Sequence, residues 1–282
     1  MNRKKRVLFV VVFVLVVLIV WTLWGNTALE VNEYEVVSDR IPQGFEGFRI
    51  AQVSDLHNAE FGEGNEKLIQ LLSQTDPDII VLTGDLIDSR HTDIEIALDF
   101  ARQAIKLAPV YYVSGNHEAC VREYEDLKMG LAEAGVVILE NQNVQITREG
   151  ESITLMGIDD PSFQEVYLFG DSESVARQAI DDLQNESEGY TILLSHRPEL
   201  FDLFVETEMD LVFSGHAHGG QFRLPFVGGL VAPNQGFFPK YDAGLFSEGS
   251  TNMIVSRGVG NSIIPIRFNN RPEIIVATLC IS

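Results

Sequence analysis

The sequence predicts a layered α/β sandwich with mixed β-sheets, standing on one membrane-crossing helix at its N-terminus. Three patterns predict it. An uncharged apolar run lies near the start, short apolar runs end in Asp, Asn or His, and helix-spaced segments alternate with them.

Residues 7–24 read VLFVVVFVLVVLIVWTLW, without a charge. As a helix rising about 1.5 Å per residue the run spans roughly 27 Å, close to a bilayer core. Arg3, Lys4, Lys5 and Arg6 precede it, and the next charge is Glu30. Positive residues stay on the cytoplasmic side, so 1–6 are expected as a cytoplasmic basic tail and 7–24 as a single-pass signal anchor in the cell membrane. The rest is then extracytoplasmic. A cleaved signal peptide is the alternative. Its apolar core is usually about 7 to 15 residues, shorter than this run. Cleavage after Ala28 would also put Asn26 where a small side chain is needed. A buried core helix is the least favoured reading, because the run has no polar face to give to water.

Residues 25–44 form a juxtamembrane lead in which Leu29, Val31, Tyr34, Val36 and Val37 suggest an edge strand, and 45–282 form the domain. The runs FRIAQVSDLH, DIIVLTGD, PVYYVSGNH, TILLSH and LVFSGH read as strands, each ending in a polar group. Helical spacing marks 64–74, 93–107, 121–134 and 172–184. Segments 144–147 and 153–158 pattern as an antiparallel pair around Glu149 and Gly150, and 253–256 with 273–281 as another. The stretch 228–236, flanked by Pro225 and Pro239, reads as a loop. Phe226, Phe237, Phe238 and Tyr241 there either meet the membrane interface, shape a substrate pocket or pack beneath the loop.

The 282 residues carry a net charge of −21. The first 24 hold four of the 20 basic side chains and none of the 41 acidic ones, leaving the remainder at −25. Such a surface argues against nucleic acid as a partner and against non-specific binding of anionic lipid by the domain. Cys120 and Cys280 are the only cysteines, and two buried thiols are expected in preference to a disulfide.

Five of the six histidines, His57, His117, His196, His216 and His218, fall at or just past a predicted strand end, while His91 stands apart. In open α/β sheets the carboxyl ends of the strands form the ligand crevice. In Asp55-Leu56-His57 the period of two puts both polar side chains on one side of an extended segment, and His216-Ala217-His218 repeats this. Asp85, after Gly84, offers two oxygens that can bridge cations. Asn116 offers a hard amide oxygen and an NH2 left to donate. Each pattern alone is more often a turn or a satisfied polar pair; together they point to a metal site. Nitrogen and oxygen donors without thiolate suit Mn²⁺, Fe or Zn²⁺. Seven donors exceed one tetrahedral ion. Two ions about 3.5 to 4 Å apart, bridged by a carboxylate and a hydroxide, suit in-line displacement at phosphorus.

The ordered blocks Asp55-x-His57, Gly84-Asp85-x-x-Asp88, Gly115-Asn116-His117-Glu118, His196 and Gly215-His216-x-His218 resemble the signature of the calcineurin-like metallophosphoesterases. The resemblance runs from about Arg49 to His218. The contexts Ser54-Asp55-Leu56-His57, Ser195-His196-Arg197-Pro198-Glu199 and Gly215-His216-Ala217-His218-Gly219-Gly220-Gln221 are similar to the bacterial membrane-associated, YaeI-like phosphodiesterase branch. The resemblance implies a four-layer α/β/β/α sandwich with two mixed β-sheets. It also implies a first metal on Asp55, His57, Asp85 and His218 and a second on Asp85, Asn116, His196 and His216. By the same analogy His117 faces substrate, to protonate the leaving oxygen or stabilise charge. Glu118 stands where the family most often has Asp and would orient His117. Asp88 is expected to orient the Gly84-Asp85 loop rather than bind metal. Arg197, Arg223 and His91 are read as surface or helix-end residues before phosphate contacts.

The expected function is dinuclear phosphodiester or pyrophosphate hydrolysis, with Asn116 and His117 assisting, on a lipid- or envelope-linked phosphate ester. A phosphomonoesterase of the same fold shares these ligands. An amide-cleaving metallohydrolase would show His-Glu-x-x-His or His-x-His-x-Asp-His, and neither occurs. A non-catalytic tethered binding module would have lost a ligand or His117, and none is missing.

Overall fold

The computed structural model describes residues 2–164, 172–185, 189–261 and 264–282. Helix α1 (Arg3–Thr27) is long and apolar enough to cross a membrane and is exposed along nearly its whole length. Its apolar side chains cover it on every side, so it has no face to pack on the domain.

The domain is built on two six-stranded mixed sheets. The first contains β1 (Glu30–Val37), β2 (Arg49–Val53), β3 (Ile79–Thr83), β4 (Val110–Val113), β5 (Val137–Ile138) and β16 (Glu273–Cys280), in the order β1-β16-β2-β3-β4-β5. The second contains β6 (Gln142–Arg148), β7 (Glu151–Gly157), β8 (Thr191–Leu194), β9 (Leu211–Ser214), β14 (Gly244–Glu248) and β15 (Thr251–Val255), in the order β14-β15-β9-β8-β7-β6. Four small strands between β9 and β14 in the chain, β10 (Arg223–Leu224), β11 (Gly228–Gly229), β12 (Val231–Ala232) and β13 (Gly236–Phe237), make two short hairpins.

Period-two alternation sorts the strand residues into layers. Ile50, Val81, Ile192, Leu194, Leu211 and Phe213 point between the sheets. Ala51, Val53, Ile80 and Leu82 point outward to α2 (Glu66–Ser73), α3 (Ile94–Ala104) and α4 (Tyr124–Ala134). Leu193 and Val212 face α5 (Ser172–Gln184) and α6 (Phe201–Glu206) on the far side. The result is the expected α/β/β/α sandwich, with β1 as its edge strand and β6–β7 as the expected hairpin.

Two expectations fail. Segments 253–256 and 273–281 do not pair: β15 lies beside β9 in the second sheet, and β16 lies between β1 and β2 in the first. The chain between them crosses from sheet to sheet at the end of β2, where Val259 and Gly260 donate to the Ser54 and Asp55 carbonyls. Neighbourhood in sequence misleads where such a crossing intervenes. The cysteines are free thiols as expected but not buried, Cys120 being exposed and Cys280 half-buried.

Candidate metal centre

Strands β2, β3 and β4 run parallel, as do β8 and β9, so their carboxyl ends gather at one edge of the sandwich. Each ends in a polar turn, and the turns are laced together. Asp55 N donates to Gly84 O at 3.0 Å, His57 N to Asp85 O at 3.0 Å, and His117 N to Asp85 Oδ1 at 2.8 Å. His216 N donates to Asp55 Oδ1 at 3.1 Å. Asp55, His57, Asp85, His216 and His218 all hold positive φ, between 46° and 66°. Non-glycine residues hold that backbone at a cost of order 1–3 kcal/mol each, and such strain clusters at sites. A Cβ at Gly115 would strike the Asp85 carboxylate, which is why glycine stands there.

Six of the seven predicted donors converge. Asp55, His57, Asp85 and His218 form one group with donor atoms within 4.8 Å of one another; Asp85, His196 and His216 form a second. Asp85 Oδ2 belongs to both, 3.6 Å from His57 Nε2 and 3.2 Å from His196 Nε2. His218 Nε2 lies 3.2 Å from His57 Nε2 and 3.4 Å from Asp55 Oδ1, while His216 Nδ1 lies 3.1 Å from His196 Nε2. His196 Nδ1 donates to the Thr83 carbonyl at 2.7 Å, which leaves Nε2 free to ligate. Asn116 Oδ1 is buried and has no hydrogen-bond partner among the described residues.

The two carboxyls suit cations, while His196 must shed its Nε2 proton before that nitrogen can ligate. Burial works to raise Asp55 and Asp85, but His218 beside the first and His196 beside the second outweigh it and hold both carboxyls well below their usual range. Burial opposes the charge on His196, yet Asp85 lifts it to about 10. At His218 burial prevails and holds the imidazole down to about 3; at His216 burial, Arg197 and His196 act together to lower it.

Around this centre the structure reassigns several neighbours. Glu118 does not orient His117. Its buried carboxylate accepts from Asp85 N, Leu86 N, Ile87 N and Gly115 N at 2.7 to 3.3 Å, so it shapes the Asp85 loop. Asp88 was expected in that role, but its carboxylate holds Arg90 instead, from 2.6 to 3.0 Å. Burial opposes its ionisation, yet Arg90 keeps it at about 2. His117 is positioned by Ser89, whose backbone N–H donates to Nδ1 at 3.0 Å. Arg197 is no surface charge. It is fully buried, paired with Asp160 through Nε at 2.5 Å and Nη2 at 2.8 Å, and its Nη1 lies 3.4 Å from His216 Nε2. Arg223 is bound to Asp242 at 2.9 Å, whereas His91 borders the cleft beside His57. Asp160 and Ser89 were missed. Asp160 carried a usable signal, an acid just past the end of β7, whereas a backbone donor such as Ser89 N leaves none.

A family model of calcineurin-like phosphoesterases matches residues 48–220, more than half of the chain. The chain belongs to that family. It is a metallophosphoesterase, a hydrolase of phosphoric esters, of the YaeI-like branch. Uncharacterized metallophosphoesterase YkuE of Bacillus subtilis (strain 168) is 31% identical over 259 residues, covering 89% of this chain and 85% of that protein. Phosphodiesterase YaeI of Escherichia coli (strain K12) is 29% identical over 237 residues, covering 82% of each. The crystal structure of TT1561 of Thermus thermophilus shares the fold at a TM-score of 0.51, with 16% identity, over 76% of this chain and 90% of that one.

Proposed function

We propose that this metallophosphoesterase hydrolyses a phosphodiester or a diphosphate outside the cytoplasmic membrane, on a lipid- or envelope-linked molecule, at a dinuclear centre. Asp55, His57, Asp85 and His218 would hold one cation, and Asp85, Asn116, His196 and His216 the other. The observation that carries this is the orphaned Asn116 Oδ1 on the turn whose next amide binds Asp85. A buried acceptor without a partner costs about 1–3 kcal/mol, which a cation would relieve. Bound there, Mn²⁺, Fe or Zn²⁺ would polarise the phosphoryl oxygens and activate a water.

The chain's own groups supply the rest. Asp85 Oδ2 joins the two donor sets, and the Asn116 NH2 remains to donate to a phosphoryl oxygen. His117 Nδ1 accepts from Ser89, so the neutral ring carries its proton on Nε2, which lies 4.0 Å from Asp85 Oδ2. That N–H can donate to a phosphoryl or leaving oxygen. Helix α1 and the phosphodiesterase YaeI relative favour a diester at the membrane.

The test uses the full chain in detergent. Metal analysis is expected to find about two ions per chain. Chelation should abolish hydrolysis of bis-p-nitrophenyl phosphate, with a divalent metal restoring it, and Asp85→Ala should lose both ions. A metal-free chain, or hydrolysis indifferent to chelation, would sink the proposal. A p-nitrophenyl phosphate arm distinguishes monoester from diester preference.

A further inference from the structure

Three phenylalanines in the segment after the last histidine have almost nothing of the protein around them: Phe226 is 109% exposed, Phe237 81% and Phe238 65%. Phe226 and Phe238 also hold positive φ, 67° and 56°. A bulky aromatic in that backbone costs free energy, and these rings recover little of it inside the chain. Tyr241, expected with them, is buried against Phe201 and Phe246 and takes no part.

The segment is tied to the end of α1. Gln221 Nε2 donates to the carbonyls of Ile264 and Ile266, and Arg223 N to that of Phe268. Ile264 and Ile266 are themselves exposed, at 38% and 47%. The next residue, Arg267, clasps Asn26 at the end of α1: Asn26 Nδ2 donates to Arg267 O at 2.9 Å and Arg267 N to Asn26 Oδ1 at 2.8 Å. Arg271 lies over the Trp24 ring at 4.9 Å. From Arg267 the contacts lead straight into the site. Its guanidinium donates to Gly260 O, and Gly260 N donates to Asp55 O at 2.7 Å. Pro265, between the two isoleucines, walls a cleft of about 500 Å³ that His57, Asn58, Asp88, Arg90 and His91 also line.

We propose that Phe226, Phe237 and Phe238, with Ile264 and Ile266, sink into the interface of the bilayer that α1 crosses, so that the cleft receives the phosphate of an amphiphile in that bilayer. The occupant is lipid because the segment that carries the phenylalanines is hydrogen-bonded to residues 264–268, which in turn hold the end of the membrane helix. Attachment is apolar rather than electrostatic. Arg223 is matched by Asp242, Lys240 by Asp202, Arg257 by Glu30 and Glu273, and Arg271 by Glu30. The inference rests on the membrane-anchored phosphoesterase reading and narrows its substrate to one whose phosphorus lies at headgroup depth.

The test reconstitutes the full chain into phosphatidylcholine vesicles. Trp21 and Trp24 are the only tryptophans, so Phe226→Trp in a Trp21→Phe, Trp24→Phe background reports on position 226 alone. Acyl-brominated phosphatidylcholine should quench its fluorescence, to the same degree with and without anionic lipid. Unquenched fluorescence overturns the docking, including the case in which the patch pairs two copies and light scattering finds a dimer in detergent. The functional arm uses Phe226→Asn, Phe237→Ser and Phe238→Asn together, Asn being the residue that best tolerates positive φ. Hydrolysis of the p-nitrophenyl ester of phosphatidic acid in vesicles should fall about tenfold or more, and that of soluble bis-p-nitrophenyl phosphate should stay within about twofold, because only delivery is lost. Equal rates on the vesicle ester, or equal losses on both, overturn the inference. Failure of the unaltered chain on the soluble ester would instead sink the phosphoesterase proposal, and the quenching result would stand apart from it.

Discussion

Because Ser89 donates to His117 Nδ1, and the proposed ligand His57 meets that ring only edge to face at 4.5 Å between centroids, His117→Ala should remove a donor to substrate while both cations stay. The expected loss in kcat is roughly 10² to 10⁴, read alongside metal content. Loss of metal would place His117 among the ligands, with His57 and Asp88 as its neighbours. Glu118 differs. Glu118→Gln would turn one of its oxygens into a donor facing two of the four amides it serves. A cost of about 2 kcal/mol or more follows, visible as a lower melting temperature with falling metal content; an unchanged Asp85 site would refute it. Asp159 gives a pH signature. Burial, helped by Glu140, raises it from 3.8 to about 6. Folding favours its protonated form, so that contribution is complete below about pH 4 and is lost as pH rises through 6, at 1.36 kcal/mol per unit and about 3 kcal/mol in all. Relative to wild type, Asp159→Asn should gain that much stability between pH 4 and pH 7; a constant gap in melting temperature would contradict it.

At the scale of elements, Phe213 lies fully buried between the sheets on β9, the strand that leads to His216. Phe213→Ala should cost about 3–5 kcal/mol, measured by denaturation of the full chain in detergent; a loss under 1 kcal/mol would mean the layers collapse around it. The strands ending in polar groups were legible in sequence because a buried parallel strand must be apolar throughout and then stop. That gave β2, β3, β4, β8 and β9 and the seven donors at their ends. The partner of β16 was not legible, since a strand's neighbours are set by where the chain crosses over rather than by its own pattern. Arg197 looked like a surface charge because its partner Asp160 lies 37 residues away. The family resemblance suggests roles for Glu118 and Asp88, whereas their actual partners, four backbone amides for Glu118 and Arg90 for Asp88, are set by how the turns fold.

For the molecule as a whole, the anchor proposal predicts that the chain stays with membranes through a high-salt wash and that protease added from the outer side reaches the domain. Recovery of a freely soluble protein beginning near Leu29 would show a cleaved signal instead. The donors are also divided between the two sheets. Asp55, His57, Asp85 and Asn116 follow strands of the first, and His196, His216 and His218 follow strands of the second. Each cation would therefore act as a rivet through both sheets. Sliding one sheet past the other at that edge would prise the ions out well before the apolar interior gave way, so gentle heating should silence the enzyme while its shape, by circular dichroism, still looks intact.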